Sequence, residues 1–222
     1  MRAAVQLGFI SAVIEWLADF TDKLGDWASN WWFLGVIFVI AVLDSVIPVV
    51  PSETTVIIGG VAVAIGDAPY PLLAVIGAGA AGAFIGDNMA FSIGRRWSDA
   101  FERRAARKPK FEAKLTWARE QIHDRGGLLL ITARFIPGGR TAITIASGIT
   151  RQSRAWFIRW TFIAAVIWAT YAAGLARLVG ESFKDDHAKA FWIAFGTALG
   201  INVAIEIVRH RRLKRKWSEP AA

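Results

Sequence analysis

An apolar run that reaches from residue 31 to residue 65 is interrupted by two prolines and a carboxylate, in the segment PVVPSE (residues 48–53). Proline removes a backbone N–H and disfavours helix in the residue before it, so this segment cannot continue a helix. Each flanking arm is shorter than the roughly 20 residues that a membrane-spanning helix needs. In hydrocarbon, non-helical backbone is tolerated only where protein or a wet cavity surrounds it, and an ionisable group there is usually functional. The sequence therefore predicts a re-entrant helical hairpin, with Glu53 at its tip as a candidate site residue.

The composition predicts a single membrane domain. The chain has 222 residues, of which 55% are hydrophobic, and a mean hydropathy of +0.40. The net charge of +8 does not indicate a nucleic-acid partner, because the cations lie beside apolar segments, where they would set orientation in a membrane. The absence of cysteine excludes a disulfide framework and a thiolate nucleophile or ligand.

The distribution of charge orients the apolar stretches. Residues 95–125 carry ten Lys or Arg, and a basic run begins at Arg209, so both are expected on the cytoplasmic side. The apolar stretch 127–150, broken at PGG (residues 137–139), then starts and ends in the cytoplasm, and must enter and return. It is predicted to be a second re-entrant hairpin of opposite orientation. Each hairpin is followed by a full crossing helix, which gives two units related by inversion, a pattern of many secondary transporters.

The predicted fold is thus an all-α membrane protein, with a helix at each end added to the inverted repeat. Acids at helical spacing indicate an amphipathic N-terminal helix, which either lies in the interface or packs a polar stripe on the bundle. The C-terminus is predicted to be cytoplasmic. The predicted parts are an N-terminal amphipathic helix (1–30), the first hairpin with its helix (31–94), a basic cytoplasmic connector (95–126), the second hairpin with its helix (127–180), a C-terminal transmembrane helix (188–208) and a basic cytoplasmic tail (209–222).

Four ionisable residues are predicted at membrane depth: Glu53, Asp87, Arg134 and Arg140. Each alone would cost about 2.5 to 3.5 kcal/mol in hydrocarbon, so they should face inward and pair with one another. One interpretation is that they are static ion pairs that dock the hairpins. We favour a substrate path, because intramembrane charges at broken helices usually line one.

The arginines of the second hairpin suit an oxyanion. Arg134 and Arg140 are separated only by FIPGG, a turn that allows both guanidiniums to converge. Guanidinium binds phosphate bidentately and keeps its charge at physiological pH. The backbone amides of Gly138 and Gly139, at the start of a half-helix, would add partial positive charge. The hydroxyl of Thr141 would either donate to the same anion or cap the helix.

Three sequence blocks carry a resemblance to a known family. They are PVVPSE (residues 48–53), GAFIGDNMAFSIGRR (residues 82–96) and ARFIPGGRTAITIASG (residues 133–148). Together they resemble the DedA family, also described as the SNARE-associated or VTT-domain family, of bacterial inner-membrane proteins. The chain departs from the family pattern in lacking a Phe two residues before Arg134 and in having Phe91 where Tyr is frequent. Neither departure removes a charge.

The resemblance implies both a fold and a function. The fold is two opposed re-entrant hairpins, with acids in the first unit and arginines in the second required for activity. The function is returning a polyprenyl carrier lipid, undecaprenyl or decaprenyl phosphate, across the plasma membrane. In the mechanism that we infer, phosphate displaces Glu53 and Asp87 from the arginines, and these carboxylates take up protons because they then lie near like charge. The expected partners are therefore the polyprenyl phosphate or a phospholipid, the membrane and protons.

Three other interpretations stay open. A membrane phosphatase or transferase would also use arginines, but His123, His187 and His210 lie in separate polar connectors, so no general base is evident and we expect no enzyme, cofactor or metal site. A proton-coupled exporter or ion exchanger would use the acids alone. A passive phospholipid scramblase would need no gradient.

One further feature bears on oligomeric state. Four glycines form either a packing face within the chain or a homodimer seam: Gly77, Gly79, Gly82 and Gly86.

Overall fold

The computed structural model describes residues 26–47, 52–135 and 139–182, together with 192–194, 196, 197 and 200. Within these ranges the regular structure is helical and contains no strand. The helices are α1 (Phe33–Val46), α2 (Ser52–Ile65), α3 (Leu72–Arg107), α4 (Pro109–Arg125), α5 (Leu128–Thr132), a 3₁₀ turn (Ala133–Phe135), α6 (Gly139–Ile149) and α7 (Arg154–Ser182). Several predicted parts fall outside the described residues: nearly all of the N-terminal amphipathic helix, Gly138, most of the C-terminal transmembrane helix and the basic tail.

Two helices are long and apolar enough to cross a membrane. α3 has 36 residues and α7 has 29. At 1.5 Å per residue, α3 is about 54 Å long, which exceeds the roughly 30 Å of a hydrocarbon core. Its apolar part ends near Arg95, yet the helix continues to Arg107, so the predicted connector begins as an extension of this helix. α4 then starts at Pro109, because proline fits the first turn of a helix, where its missing N–H costs nothing.

The remaining apolar helices are too short to span. α1 and α2 have 14 residues each and adjoin the predicted tip of the first hairpin, residues 48–53, of which Ser52 and Glu53 begin α2. α6 has 11 residues and begins at Gly139, the last residue of the predicted break at residues 137–139, while α5 and the 3₁₀ turn precede that break. Residues 48–51 and 136–138 lie outside the described residues, so the re-entrant course of the two hairpins stays a prediction.

Small residues bring the helices into backbone contact. On α3, a Cβ built on Gly86 would lie 2.6 Å from the carbonyl oxygen of Val42 in α1. On α2, a Cβ at Gly60 would lie 3.0 Å from the carbonyl oxygen of Ala173 in α7. On α6, a Cβ at Gly148 would lie 2.7 Å from the backbone nitrogen of Arg95 in α3. Only glycine fits such approaches, which explains these positions by packing within the chain.

The four glycines of the predicted packing face do not all contact other helices. Gly79, Gly82 and Gly86 all meet neighbouring helices, whereas Gly77 is exposed and has nothing within 4 Å of a built Cβ. Three of the four are thus accounted for by contacts within the chain, and no homodimer is needed to explain them.

The helices of the two predicted units interlock. α2, the second arm of the first hairpin, packs against α7 of the second unit. Conversely, α6, the second arm of the second hairpin, packs against α3 of the first. This exchange brings the first turns of α2 and α6 into one buried region beside the middle of α3.

Candidate functional site: a buried cluster of carboxylates and arginines

A buried ion pair joins the two predicted units. Arg134, in the 3₁₀ turn, donates through Nη2 to Oδ2 of Asp87, which lies near the middle of α3. Both side chains are only 2% exposed. A charge at this burial is strongly destabilising without a partner, so each side chain requires the other.

A second arginine links this pair to α1. The Arg140 Nη2 atom lies 2.9 Å from Oδ2 of Asp44, and its Nε atom lies 3.7 Å from Oδ1 of Asp87. Ser52, the first residue of α2, donates its hydroxyl to the same Asp44 oxygen. Arg140 therefore connects α6 to both α1 and α3.

Glu53 contributes a third carboxylate. It stands in the first turn of α2 and is partly buried. Its carboxylate is subject to the charges of Asp44 and Arg140. The indole of Trp168, on α7, lies beneath Arg134, whose Cζ atom is 5.8 Å from the ring centroid, a cation–π distance.

Two helices begin at this cluster. α2 starts at Ser52 and α6 starts at Gly139, so both direct unpaired backbone N–H groups and the positive end of a helix dipole towards it. The Thr141 hydroxyl donates to the carbonyl oxygen of Ser45 at 3.2 Å. Thr141 thus fastens α6 to the last turn of α1 instead of capping its own helix.

Three buried polar atoms of the cluster make no hydrogen bond to any described residue. The Nε and Nη1 atoms of Arg134 and the Oδ1 atom of Asp87 are buried and have no hydrogen-bond partner among the described residues. Buried guanidinium N–H groups normally find acceptors, because leaving one unpaired costs about 1 to 3 kcal/mol. Unpaired donors on a buried arginine are the feature expected where an anion binds.

Asp44 is the residue that sequence reasoning missed. The four predicted residues, Glu53, Asp87, Arg134 and Arg140, all lie in the cluster. Their two acids and two bases alone would have a net charge of zero. With Asp44 there are three carboxylates and two guanidiniums, so the fully ionised cluster carries −3 + 2 = −1. The available signal was a lone aspartate inside the apolar run FLGVIFVIAVLDSV.

The remaining predicted site residues are placed as follows. Gly139 is partly buried at the start of α6, while Gly138 lies outside the described part of the chain. The side chain of His123 and the whole of His187 and His210 also lie outside it. Among the described side chains, no group of three or more His, Asp or Glu residues is arranged to hold a metal ion.

The fold and the buried charges define an all-α membrane protein, and comparison with known proteins gives its family. A family model described as the VTT domain matches residues 47–178. An "Uncharacterized membrane protein" of Haemophilus influenzae is 30% identical over 165 residues, covering 69% of this chain and 70% of the relative. Protein DedA of Escherichia coli strain K12 is 22% identical over 212 residues, covering 93% and 94%. The Bacillus subtilis "Uncharacterized membrane protein YkoX" is 27% identical over 176 residues, covering 77% of each.

The chain belongs to the VTT-domain family, the DedA family of membrane proteins. No solved structure matches it. The matched range contains Glu53, Asp87, Arg134 and Arg140, whereas Asp44 lies just before its first residue. The resemblance expected from the sequence blocks is therefore confirmed at the level of the family.

Proposed function

We propose that this protein is a proton-coupled transporter that returns a polyprenyl phosphate, undecaprenyl or decaprenyl phosphate, across a bacterial plasma membrane. The observation that carries the proposal is the buried guanidinium of Arg134, whose Nε and Nη1 atoms have no acceptor among the described residues. Arg140, on the next helix, shares the carboxylate of Asp87 with it. Two guanidiniums at one buried point form a site in which a phosphate can accept several charge-assisted hydrogen bonds.

The helix ends favour the same ligand. A phosphate between the first turns of α2 and α6 would face the N-terminal ends of two helix dipoles. Gly139 begins α6 and leaves its backbone approachable, and we propose that Gly138 contributes in the same way. The Thr141 hydroxyl, which now donates to Ser45, would be close enough to turn to the phosphate.

The net charge of the cluster implies that protons must bind together with the phosphate. With all groups ionised the cluster is at −1, so a phosphate monoester of about −1 to −2 would enter a site of like charge. Protonation of two of the three carboxylates brings the cluster to +1, which neutralises a monoanionic headgroup. Asp44, Glu53 and Asp87 are the groups that would take up these protons. Binding of the headgroup and uptake of protons are thereby coupled, because neither is favourable alone in a site with little water.

The position of the cluster suits a lipid. Asp87 lies about 23 Å along α3 from Leu72, which is inside the apolar part of that helix. A headgroup must reach this depth, but the prenyl tail can stay in the bilayer. The short helices α1, α2 and α6 would be arms of re-entrant hairpins, and the interlocking of α2 with α7 and of α6 with α3 is what an inverted repeat of two units would produce.

Release would complete the cycle. On the cytoplasmic side, where the basic segment 95–126 and the C-terminus are proposed to lie, deprotonation would restore the carboxylate–guanidinium pairs and expel the phosphate. A proton gradient would then drive inward movement of the lipid. No bond in the substrate is broken, so we propose that the protein is not an enzyme and needs no cofactor.

The test is translocation of polyprenyl phosphate in vesicles that contain the full-length protein. We expect the inward movement of polyprenyl phosphate to accelerate under an imposed pH gradient. Polyprenol, which lacks the phosphate, is the control lipid. Glu53→Gln should slow transport and remove its response to the gradient. Glu181→Gln is the matched control, because that carboxylate is exposed and pairs with Arg177 on the same helix at 2.8 Å.

Other outcomes would assign other functions. Fast, gradient-sensitive transport by Glu53→Gln would refute the role of Glu53. Equal movement of ordinary phospholipids without a gradient would indicate a scramblase. Proton or ion flux that polyprenyl phosphate does not compete with would indicate an exchanger, and release of inorganic phosphate would indicate an enzyme.

A further inference from the structure

Arg151, two residues beyond the end of α6, joins this helix to the continuation of α3 beyond its apolar part. Its Nε atom donates to the hydroxyl of Ser98 at 3.2 Å, and its Nη2 atom donates to Oδ1 of Asp99. The same Nη2 atom lies 3.5 Å from Oε2 of Glu102, which also accepts through Oε1 from Arg119 of α4 at 3.0 Å. We call the contacts of Arg151 with Ser98, Asp99 and Glu102 the outer clamp.

The backbone of Arg151 is strained. Its φ is +58°, and among the residues that the structure describes no other non-glycine residue has a positive φ. The end of α6 closes around it, since Arg151 N–H donates to the carbonyl of Gly148 and Gln152 N–H to that of Ser147, both at 3.0 Å. Glycine is the usual residue at such a helix end, because a Cβ crowds the left-handed conformation. Another residue keeps this conformation only where its surroundings hold it, and here the outer clamp does so.

The opposite end of α6 is held in the buried cluster by an inner anchor, formed by Arg140 with Asp44 and Asp87. The distances are 2.9 Å to Asp44 and 3.7 Å to Asp87. Asp87 and Asp99 are 12 residues apart on α3, about 18 Å, so α6 lies parallel to α3 with an arginine–carboxylate contact at each end. The inner anchor is buried, whereas the side chains of Arg151 and Asp99 are 47% and 65% exposed. The outer clamp therefore lies outside the candidate site.

Binding of a phosphate would act on only one of these two contacts. In the proposed function the phosphate takes Arg140 from its carboxylates, so the inner anchor opens when the site is loaded. The outer clamp contains no residue of the site and stays closed. Between the two ends, α6 meets α3 by close packing at Gly94 and Gly148, where a Cβ would not fit. The loaded protein therefore depends on the outer clamp and on this packing to keep α6 on α3.

We propose that Arg151 is a positioning residue: the outer clamp keeps α6 on α3 while the inner anchor is open, and thereby holds Arg140 at the phosphate. The part in transport rests on the proposed function, because it needs a substrate that opens the inner anchor. The mechanical part, two contacts of which either holds α6, needs no substrate. The strained backbone fits this role, since glycine would suit the turn better and only the planar guanidinium of Arg151 reaches three acceptors at once.

The position of α6 can be followed with two spin labels. The chain has no cysteine, so Ala142→Cys on α6 and Ala100→Cys on α3 introduce the only thiols, and both positions are exposed. The distance between the labels is measured by double electron–electron resonance on the full-length protein in lipid nanodiscs. Arg151→Met removes the outer clamp, and Arg140→Met removes the inner anchor. Each single variant should keep the narrow distance distribution of the labelled protein, and the double variant should give a broad one.

Two further double variants identify the cause. Arg151→Gly removes the same side chain but adopts the left-handed turn without crowding, so with Arg140→Met it should also broaden the distribution. Arg177→Met with Arg140→Met is the matched control and should stay narrow, because Arg177 is 51% exposed and its 2.8 Å pair with Glu181 lies within α7. A narrow distribution for Arg151→Gly with Arg140→Met would overturn the proposal, because the outer clamp would then be dispensable.

Polyprenyl phosphate supplies a second arm that leaves Arg140 in place. At saturating lipid the labelled protein should keep its narrow distribution, whereas Arg151→Met should change from narrow to broad. Its affinity for the lipid should also fall by up to about fivefold, the limit for exposed ion pairs. Polyprenol should leave both distributions unchanged. A distribution of Arg151→Met that is equally broad with and without the lipid would overturn the proposal, because the inner anchor would then not hold α6 by itself.

The inference and the proposed function fail separately. If both Arg151 variants combined with Arg140→Met are broad, but Arg151→Met stays narrow with polyprenyl phosphate bound, the two anchors stand and the proposed displacement of Arg140 by phosphate is wrong. If the unmodified protein transports polyprenyl phosphate under a pH gradient, but Arg151→Gly with Arg140→Met is narrow, the positioning role is wrong and the function stands.

Discussion

The ion pair between Arg134 and Asp87 allows a test of whether the cluster is only structural. Asp87→Asn removes the charge that Arg134 pairs with while keeping a side chain of the same size. Breaking a buried pair by removing one partner typically costs about 3 to 5 kcal/mol. We expect Asp87→Asn to lower the free energy of unfolding by about 3 kcal/mol, because the asparagine oxygen still accepts a hydrogen bond and because Arg134 keeps its interaction with the charge of Glu53.

Asp44→Asn is the matched comparison within the same cluster. The Asp44 side chain is 15% exposed, against 2% for Asp87. Its partner Arg140 would keep a contact with Asp87 at 3.7 Å. Asp44→Asn should therefore lower the free energy of unfolding by about 1.5 kcal/mol, the contribution of one charged hydrogen bond. The measurement is thermal unfolding of the purified proteins under identical lipid or detergent conditions.

A double variant then separates stability from function. Replacing a buried ion pair by apolar side chains of similar volume is often neutral or stabilising. Asp87→Leu with Arg134→Met should accordingly recover most of the stability lost in Asp87→Asn, yet show no transport. Two results would refute the reasoning: Asp87→Asn as stable as Asp44→Asn, or a double variant that transports at the unmodified rate.

Three further predictions concern other parts of the chain. Arg140→Lys keeps the charge but cannot reach two acceptors with one planar fork, so affinity for polyprenyl phosphate should fall about tenfold in a binding titration; unchanged affinity would argue against a bidentate contact. Gly148→Ala should reduce the yield of folded protein in size-exclusion chromatography, since its Cβ would lie 2.7 Å from a backbone nitrogen of α3, whereas Gly77→Ala, with nothing within 4 Å, should fold normally; equal yields would contradict the packing. Tyr70, in the loop before α3, donates to a backbone carbonyl at 2.7 Å, and burial raises the pKa of its phenol to about 12. Its unfolded form ionises first, so the advantage in melting temperature over Tyr70→Phe should be constant below about pH 10 and decline between about pH 10 and 12; an advantage undiminished at pH 11 would disprove this.

Much of the site could be predicted because charge in an apolar run is conspicuous. Glu53, Asp87, Arg134 and Arg140 each stand in an apolar context, and the cost of isolated charge there predicts that they meet. The structure brings them together. The lengths of the apolar stretches likewise predicted the two long helices, although α3 continues to Arg107, beyond residue 94, where the predicted crossing helix ends.

Other features depend on tertiary contacts that no local pattern encodes. Asp44 was not predicted as a site residue, because its partner Arg140 is remote in the chain. The bond from Thr141 to Ser45 was neither of the two roles predicted for this hydroxyl, because the end of α1 supplies an acceptor that the sequence does not reveal. The contact of Trp168 with Arg134 could not be predicted either, because most of the 11 tryptophans of the chain suit an interfacial position equally well.

The most direct test of the central claim is an experimental structure of the protein in a bilayer that contains polyprenyl phosphate. The account predicts a phosphate in contact with both Arg134 and Arg140, at the first turns of α2 and α6, with the Arg134–Asp87 pair broken. A phosphate bound only at the basic surface of α3 and α4, with the buried cluster intact at saturating lipid, would contradict it.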